Sequence, residues 1–433
     1  MFLQRIFHSL SSSVINILFS FQRFQESNCK CDVSGRNTLA FVSAHPLTQA
    51  CSVPDEEEEH PLLLPMHQRG KDKFAGGFNS TSDRTKNAFG KYFVYVADLN
   101  TPWDVHLVTS TSYEISTLKW DMNNGNSLVF ADVSGQVEVW QMKEFLLSDW
   151  HCIHKSVYKS EVFLTVFFIG SARKIYINMD KDTENYHDKF NFRPAPSIAQ
   201  GFGERDMFGL LLVSHTGLVV CLAIPTNSSN VLEAKSAKQC LNNVTRNRVR
   251  TVDVSFVKDG SLLIAASNGN PLDPIRFYKV AISWIDCAFD DGLELGLNLE
   301  TFPGLCTKAV QAAEGGKSED RCLALVDLCF VSGDDTDSIL VATTHPAGGR
   351  LELWELKEFQ QNVHKMFLSA GASMVGDTSS FSLPAWHYVE KFSGPVSQIV
   401  SVATSQRCFQ SGRAAACYVT VAYSDGSIQC LIR

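Results

Sequence analysis

The residues whose types could do chemistry are few and scattered. Glu314 to Ser318 reads EGGKS, the composition of a glycine-rich loop whose backbone amides cradle a phosphate while a lysine supplies charge. The phosphate-loop pattern, however, needs glycine where Gln311 stands, and no apolar strand feeds directly into the loop. GFG at Gly201 to Gly203 lacks both a preceding strand and the continuation of a dinucleotide fingerprint, and reads as a turn. Cys29 and Cys31, in NCKCD, have no second pair at zinc-site spacing, and His45, His60 and His106 form no HExxH helix. Asp132, Asp259 and Asp425 stand beside turns or strand ends, where a carboxylate accepts backbone N–H groups; a glycosidase pair would require two carboxylates facing each other. RNRVR, Arg246 to Arg250, alternates into a strand start, so its arginines share one exposed face, serving solubility or an acidic peptide. No Ser/His/Asp or Cys/His set stands out. The expectation is a non-enzyme with no catalytic residue, no cofactor and no metal.

The elements that would have to position such groups are short strands. SLVFADVSGQVEVW, Ser127 to Trp140, sets two apolar runs across a Ser-Gly turn; the same shape returns as LLLVSHTGLVVCL at Leu210 to Leu222 and YVTVAYSDGSIQCL at Tyr418 to Leu431. Whole modules recur from Tyr113, from Arg248, from Arg321 to Lys357, and from Pro395. In the second module Lys258-Asp259-Gly260 takes the place of Asn123-Asn124-Gly125, and Trp354 of the third answers Trp140 of the first. Two further units are split: one by a polar loop, Lys181 to Glu204, and one between GRNTLAFVSA and KYFVYVADL. Antiparallel units of this kind bury their faces by stacking on neighbours around a closed ring. The predicted fold is therefore all-β, a WD40-like β-propeller of about six or seven blades with long inter-strand insertions. Strand alternation alone would also suit a two-sheet sandwich.

Composition narrows the class. The chain has 433 residues, 45% of them hydrophobic, enough for one or two substantial cores. A formal net charge of -8 and a pI of about 5.8 leave no large cationic surface, so direct nucleic-acid contact is not expected. Thirteen cysteines, many within apolar runs, suggest reduced and mostly buried thiols. Residues 1–28 read as a divergent or poorly ordered leader: VINILFSF within them has the look of a weak signal-peptide core but is too short and polar for a membrane span. Residues 29–433 form the propeller, with insertions near 52–91, which carries the acidic run PDEEEEHPLLLP, and near 181–204, 293–318 and 366–395.

Several separated stretches are similar to the Mediator subunit 16 family of RNA polymerase II transcription. They are TPWDVHLV (Thr101 to Val108), ISTLKWD (Ile115 to Asp121), the module through FADVSGQVEVWQM, VSHTGLVVCL (Val213 to Leu222) and Val249 to Val280, which closes on IRFYKV. The resemblance implies a WD-repeat-like propeller in the N-terminal half of a nuclear scaffold, placed in the tail module with other Mediator subunits. Such a coactivator links DNA-bound activators to RNA polymerase II, with no catalytic residues to transfer. Trp103, Trp120, Trp140 and Trp354 are then the structural candidates, aromatics whose burial holds neighbouring blades together. Family members continue into a largely helical C-terminal region, absent from this chain, which ends IQCLIR at Arg433; a fragment is the expectation. A WD-repeat-like adaptor in another multiprotein assembly, such as trafficking or ubiquitin ligation, is the alternative.

Overall fold

The structure, a computed structural model, describes residues 30–34, 38–44, 47, 92–121, 125–169, 176–179, 190–193, 207–225, 234–241, 248–257, 261–286, 293–307, 322–332, 335–362, 380–393, 397–404, 409–411, 413–416 and 418–432. Every regular element described is a strand, and the pairing is antiparallel throughout. Sheet 1 contains β1 (Cys31–Val33), β2 (Thr38–Ser43), β3 (Tyr92–Asp98) and β4 (Val105–Thr111), paired in chain order. Sheet 2 repeats that order with β5 (Ile115–Trp120), β6 (Ser127–Asp132), β7 (Gln136–Met142) and β8 (Trp150–Val157). Sheet 3 begins with β9 (Phe163–Ile169), is interrupted by the ribbon β10 (Tyr176–Met179) and β11 (Phe190–Arg193), and resumes with β12 (Met207–Ser214), β13 (Leu218–Pro225) and β14 (Lys235–Cys240).

Sheet 4 is β15 (Thr251–Phe256), β16 (Leu262–Ser267), β17 (Ile275–Asp286) and β18 (Leu293–Leu305). Sheet 5 is β19 (Ala324–Ser332), β20 (Asp335–His345), β21 (Gly348–Asn362) and β22 (Ser380–Ser393). Sheet 6 has three strands among the described residues, β23 (Ile399–Thr404), β26 (Tyr418–Tyr423) and β27 (Ile428–Ile432), with the small ribbon β24 (Phe409–Ser411) and β25 (Arg413–Ala416) between the first two. Six sheets of one recurring type in chain order are the blades of a six-bladed β-propeller. The two units split in sequence are each one sheet, as their patterns suggest: β2 pairs β3 across the 52–91 insertion, and β9 pairs β12 across 181–204.

The chain divides into two compact units, residues 1–133 with 137–155, and residues 134–136 with 156–433. In the first, Val94, Val96, Leu118, Trp120, Leu128 and Phe130 form one core. In the second, three cores among the described residues succeed one another, and the strands explain why. Along β16, Leu262, Ile264 and Ala266 enter the core shared with sheet 3, while Leu263 and Ala265 enter the one shared with sheet 5. Along β20, Ile339 and Val341 face the core with sheet 4, and Leu340 and Ala342 face the core with sheet 6. Side chains of a strand alternate between faces, so a strand between two cores is apolar at every position. That is the physical origin of runs such as LLIAAS.

The turns joining second to third strands recur as well. Gly135, Gly217, Gly269, Gly348 and Gly426 all have positive φ, the left-handed conformation that glycine adopts without a Cβ clash. The carbonyls of Gly217 and Gly269 accept the N–H of Leu241 and Leu325 at 2.8 and 2.9 Å, so these turns also hold the chain segment leading into the next sheet.

Three sequence expectations are corrected. Leu293–Leu305 and Ser380–Ser393, read as parts of insertions, are long fourth strands. Six residues at the far end of β17, Ala281 to Asp286, pair only with β18, and their Ile282 and Trp284 pack with Leu297 against the core of sheets 3 and 4. Trp386 of β22 stacks on Phe277 at 4.5 Å and donates its indole N–H to the Pro303 carbonyl at 3.2 Å. These hairpins gain their order from apolar surface on the preceding sheet, which a local reading of composition does not register. The cysteines are the third correction: among the eight described, all free, only Cys221 is buried and five are exposed. Cys152 and Cys240 lie on fourth strands, which have a neighbour on one side only.

Candidate functional site

Among the described residues, those singled out for chemistry are not brought together. Asp132, fully buried, accepts the Thr111 hydroxyl at 3.2 Å. Asp425 accepts the Ser427 amide at 2.9 Å and its hydroxyl at 2.6 Å, closing a turn; those bonds hold the exposed carboxyl below its ordinary pKa. Cys29, His45, His60, Asp259, the GFG turn and EGGKS lie outside the described residues, as do Arg246 and Asn247. Arg248 and Arg250 are exposed on either side of the buried Val249, as the alternation of RNRVR requires. Among the described residues, no group of His, Cys, Asp and Glu is arranged to hold a metal ion.

Three other carboxylates have a shared geometry. Asp32 of β1 accepts the backbone N–H of Trp120 at 2.8 Å; Asp253 of β15 accepts that of Phe330 at 2.7 Å; Asp327 of β19 accepts that of Val402 at 2.9 Å. Each joins the first strand of one sheet to the first strand of the next. The sequence signal was present: each aspartate lies within a short apolar strand, in CDV, VDV and VDL. Each of these carboxylates is half-buried, and accepting a backbone N–H offsets the hydration it loses there.

The four tryptophans divide. Trp120 is buried, and its ring lies 5.8 Å from that of Trp150. Trp140 and Trp354 occupy the same place in sheets 2 and 5, each donating its indole N–H to the glutamate two residues earlier, Glu138 at 2.8 Å and Glu352 at 3.1 Å. Lys155 adds an ion pair to Glu138 at 2.7 Å. Trp103 is different: at 60% exposure it is not a buried anchor, which corrects the expectation drawn for it. It sits in the polar turn TPWD between β3 and β4, where the next strand begins only at Val105.

That turn belongs to a face of the first unit. Asp98, the last residue of β3, pairs with Thr38, the first of β2, so the connection holding Trp103 leaves from the end of sheet 1 where β1 turns into β2. In sheet 2, the Met142 amide donates to the Asn126 carbonyl at 2.8 Å, which puts the β7–β8 connection beside the β5–β6 connection. The Asp32 to Trp120 bond joins these two ends, since Asp32 stands one residue before the end of β1 and Trp120 ends β5. Trp103 and the loop Lys143 to Asp149 therefore share one end of the unit.

The loop is built, not slack. Lys143 donates to the Asp149 carbonyl at 3.0 Å, Leu146 to that of Lys143 at 2.9 Å, and Asp149 to that of Leu146 at 3.1 Å. The indole N–H of the buried Trp150 fastens it to the core through the Leu147 carbonyl at 2.8 Å. Glu144 and Phe145 are held at φ of 50° and 61°, a left-handed conformation that costs roughly 1–2 kcal/mol per non-glycine residue. The result presents Phe145 and Leu146 outward, each 53% exposed. Sequence reasoning missed this pair; the only signal is three large apolar residues in KEFLLSD, flanked by charges and without a glycine.

The six sheets define a β-propeller. The sequence profile of Mediator complex subunit 16, N-terminal, matches residues 153–433, and the chain belongs to that family. The chain is 29% identical over 428 residues to the Mediator of RNA polymerase II transcription subunit 16 of Aedes aegypti, a match covering 96% of this chain and 45% of the relative. The Homo sapiens protein of the same name is 26% identical over 292 residues, 66% of this chain and 31% of its own. The chain thus spans less than half the length of these relatives. Among solved structures, it is similar to Saccharomyces cerevisiae Sqt1, with a TM-score of 0.41 and 12% identity over 94% of this chain and 93% of that one. It is also similar to the β-propeller domain of Myceliophteria thermophila Cps50 (Swd1), with a TM-score of 0.32 and 13% identity over 78% and 88%.

Proposed function

We propose that this chain is a non-enzymatic scaffold subunit of the Mediator coactivator in the nucleus, seated among other Mediator subunits of the tail module and linking DNA-bound activators to RNA polymerase II. The observation that carries the reading is the family match over residues 153–433, on a chain whose blades supply binding surface. The acidic balance supports contact with protein rather than with nucleic acid, since binding DNA requires cations to displace its counterions. The binding unit is the propeller of residues 29–433, with Trp120, Trp140 and Trp354 serving its stability.

Depletion of the endogenous subunit followed by rescue tests the linking role. An activator-driven reporter that falls on depletion and recovers with the chain, while a basal promoter is unchanged, is the expected result. Equal loss from both promoters would contradict a role in relaying activators.

A further inference from the structure

Two connections at one end of the first unit, from Leu99 to Asp104 and from Lys143 to Asp149, raise an exposed Trp103, Phe145 and Leu146 on hydrogen-bonded turns. The two connections are mostly acidic. Among the described residues 98–104 and 143–149, Asp98, Asp104, Glu144 and Asp149 stand against Lys143. Asp98 is already used in its own turn, accepting the Asn100 backbone and side-chain N–H groups at 2.8 Å each, and Asp104 lies 3.3 Å from His106. Glu144 and Asp149 are exposed; Glu144 immediately precedes the apolar pair and Asp149 follows it three residues after Leu146.

Isolated exposed apolar residues are ordinary on protein surfaces. Here two large ones are adjacent, a third shares their end of the unit, and the backbone beneath two loop positions is held in a conformation that side chains disfavour. An aromatic centre with a polar rim is the composition of a recognition surface. The sign of the rim selects the partner, because like charges across an interface repel by several kcal/mol and unlike charges set register and speed encounter.

We infer that this end of the first unit docks a basic amphipathic helix of a partner polypeptide, its apolar stripe on Phe145, Leu146 and Trp103 and its Lys/Arg flanks on Glu144 and Asp149. The inference rests on the reading of the chain as a binding scaffold and supplies the partner's chemistry.

The test uses the purified chain with a Leu/Lys amphipathic helical peptide and a Leu/Glu peptide of equal length as probes. The Leu/Lys peptide is expected to bind, more weakly as salt is raised, and to move the fluorescence of Trp103. Phe145→Ser combined with Leu146→Ser should weaken binding about tenfold or more, the scale on which central apolar anchors act. Tyr113→Ser, in the connection between β4 and β5 at the opposite end of the sheets, should leave binding unchanged. Should the double variant lose its β circular dichroism, Trp103→Ala, in the separate loop, decides. Equal binding of the Leu/Glu peptide, no binding of either, or undiminished binding by the folded loop variants would each overturn the proposal. Because no Mediator subunit is present in this assay, its failure is separable from a failure of the chain to join Mediator.

Discussion

The carboxylate of Asp253 accepts the backbone N–H of Phe330 at 2.7 Å, across 77 residues of sequence, and ties the first strand of sheet 4 to that of sheet 5. Phe330 is buried, so an amide deprived of this acceptor has no ready substitute. Asp253→Ala should destabilise by roughly 1–3 kcal/mol, the range for an unsatisfied buried donor. Asp253→Asn, which keeps an oxygen in place, should lose less. Urea unfolding measures both, and an alanine variant as stable as the parent would remove the clamp from the account.

Gly349 makes a different demand. A Cβ there would lie 2.5 Å from both the backbone nitrogen and Cγ1 of Ile399, where backbone must move. Gly349→Ala should therefore lower stability by about 1–3 kcal/mol. Gly304→Ala, whose nearest contact would be 3.1 Å from the Ile275 carbonyl oxygen, should cost less in the same melting experiment. The reverse order would contradict the packing described between sheets 5 and 6.

The tryptophans should separate by burial. Trp120, 1% exposed, and Trp354, 5% exposed, should each cost about 3–5 kcal/mol on replacement by alanine. Trp103→Ala should stay within about 0.5 kcal/mol of the parent, as surface changes usually do. A Trp103 variant that unfolds as readily as a Trp120 variant would return Trp103 to the core.

Thiol chemistry offers an independent check. Burial pushes the Cys221 pKa up to about 12, and burial with the nearby Glu352 carboxylate raises Cys322 to about 11. The reactive form is the thiolate, so neither should be alkylated readily near neutral pH while the chain is folded. Mass spectrometry after iodoacetamide should find the exposed Cys430 modified well before Cys221, which reacts once urea is added. Equal labelling of the two in the folded chain would contradict the core of sheets 3 and 4.

Acid should weaken the fold in part through His154. Burial lowers its imidazole pKa from the ordinary 6.5, so the unfolded chain binds a proton that the folded chain resists. The stabilising contribution is full above 6.5 and is lost as pH falls through the lowered folded value. The urea midpoint should drop between about pH 7.5 and about pH 5.5. His154→Gln should show a smaller drop; an unchanged difference would assign the effect elsewhere.

The sequence was most informative where the repeat is carried by local chemistry. A turn glycine between two apolar strands recurs in five of the six sheets, so VSG, HTG and SDG gave away the modules and their order. It was least informative where order comes from distant surface. Leu293–Leu305 is polar enough to resemble a loop, yet β17 supplies hydrogen bonds along it and the neighbouring core takes its leucines. The aspartate clamps join residues that are 75 to 88 apart, beyond any local window. Phe145 and Leu146 were missed for a related reason: their exposure depends on left-handed backbone at residues that rarely adopt it.

The central claim is that this chain works by joining Mediator, and affinity purification of the tagged chain from nuclear extract tests it most directly. The account predicts that Mediator subunits, including those of the tail module, are recovered with the chain in constant proportion, as shown by quantitative mass spectrometry. Recovery of the folded chain without any Mediator subunit, or with the components of a different assembly, would contradict it.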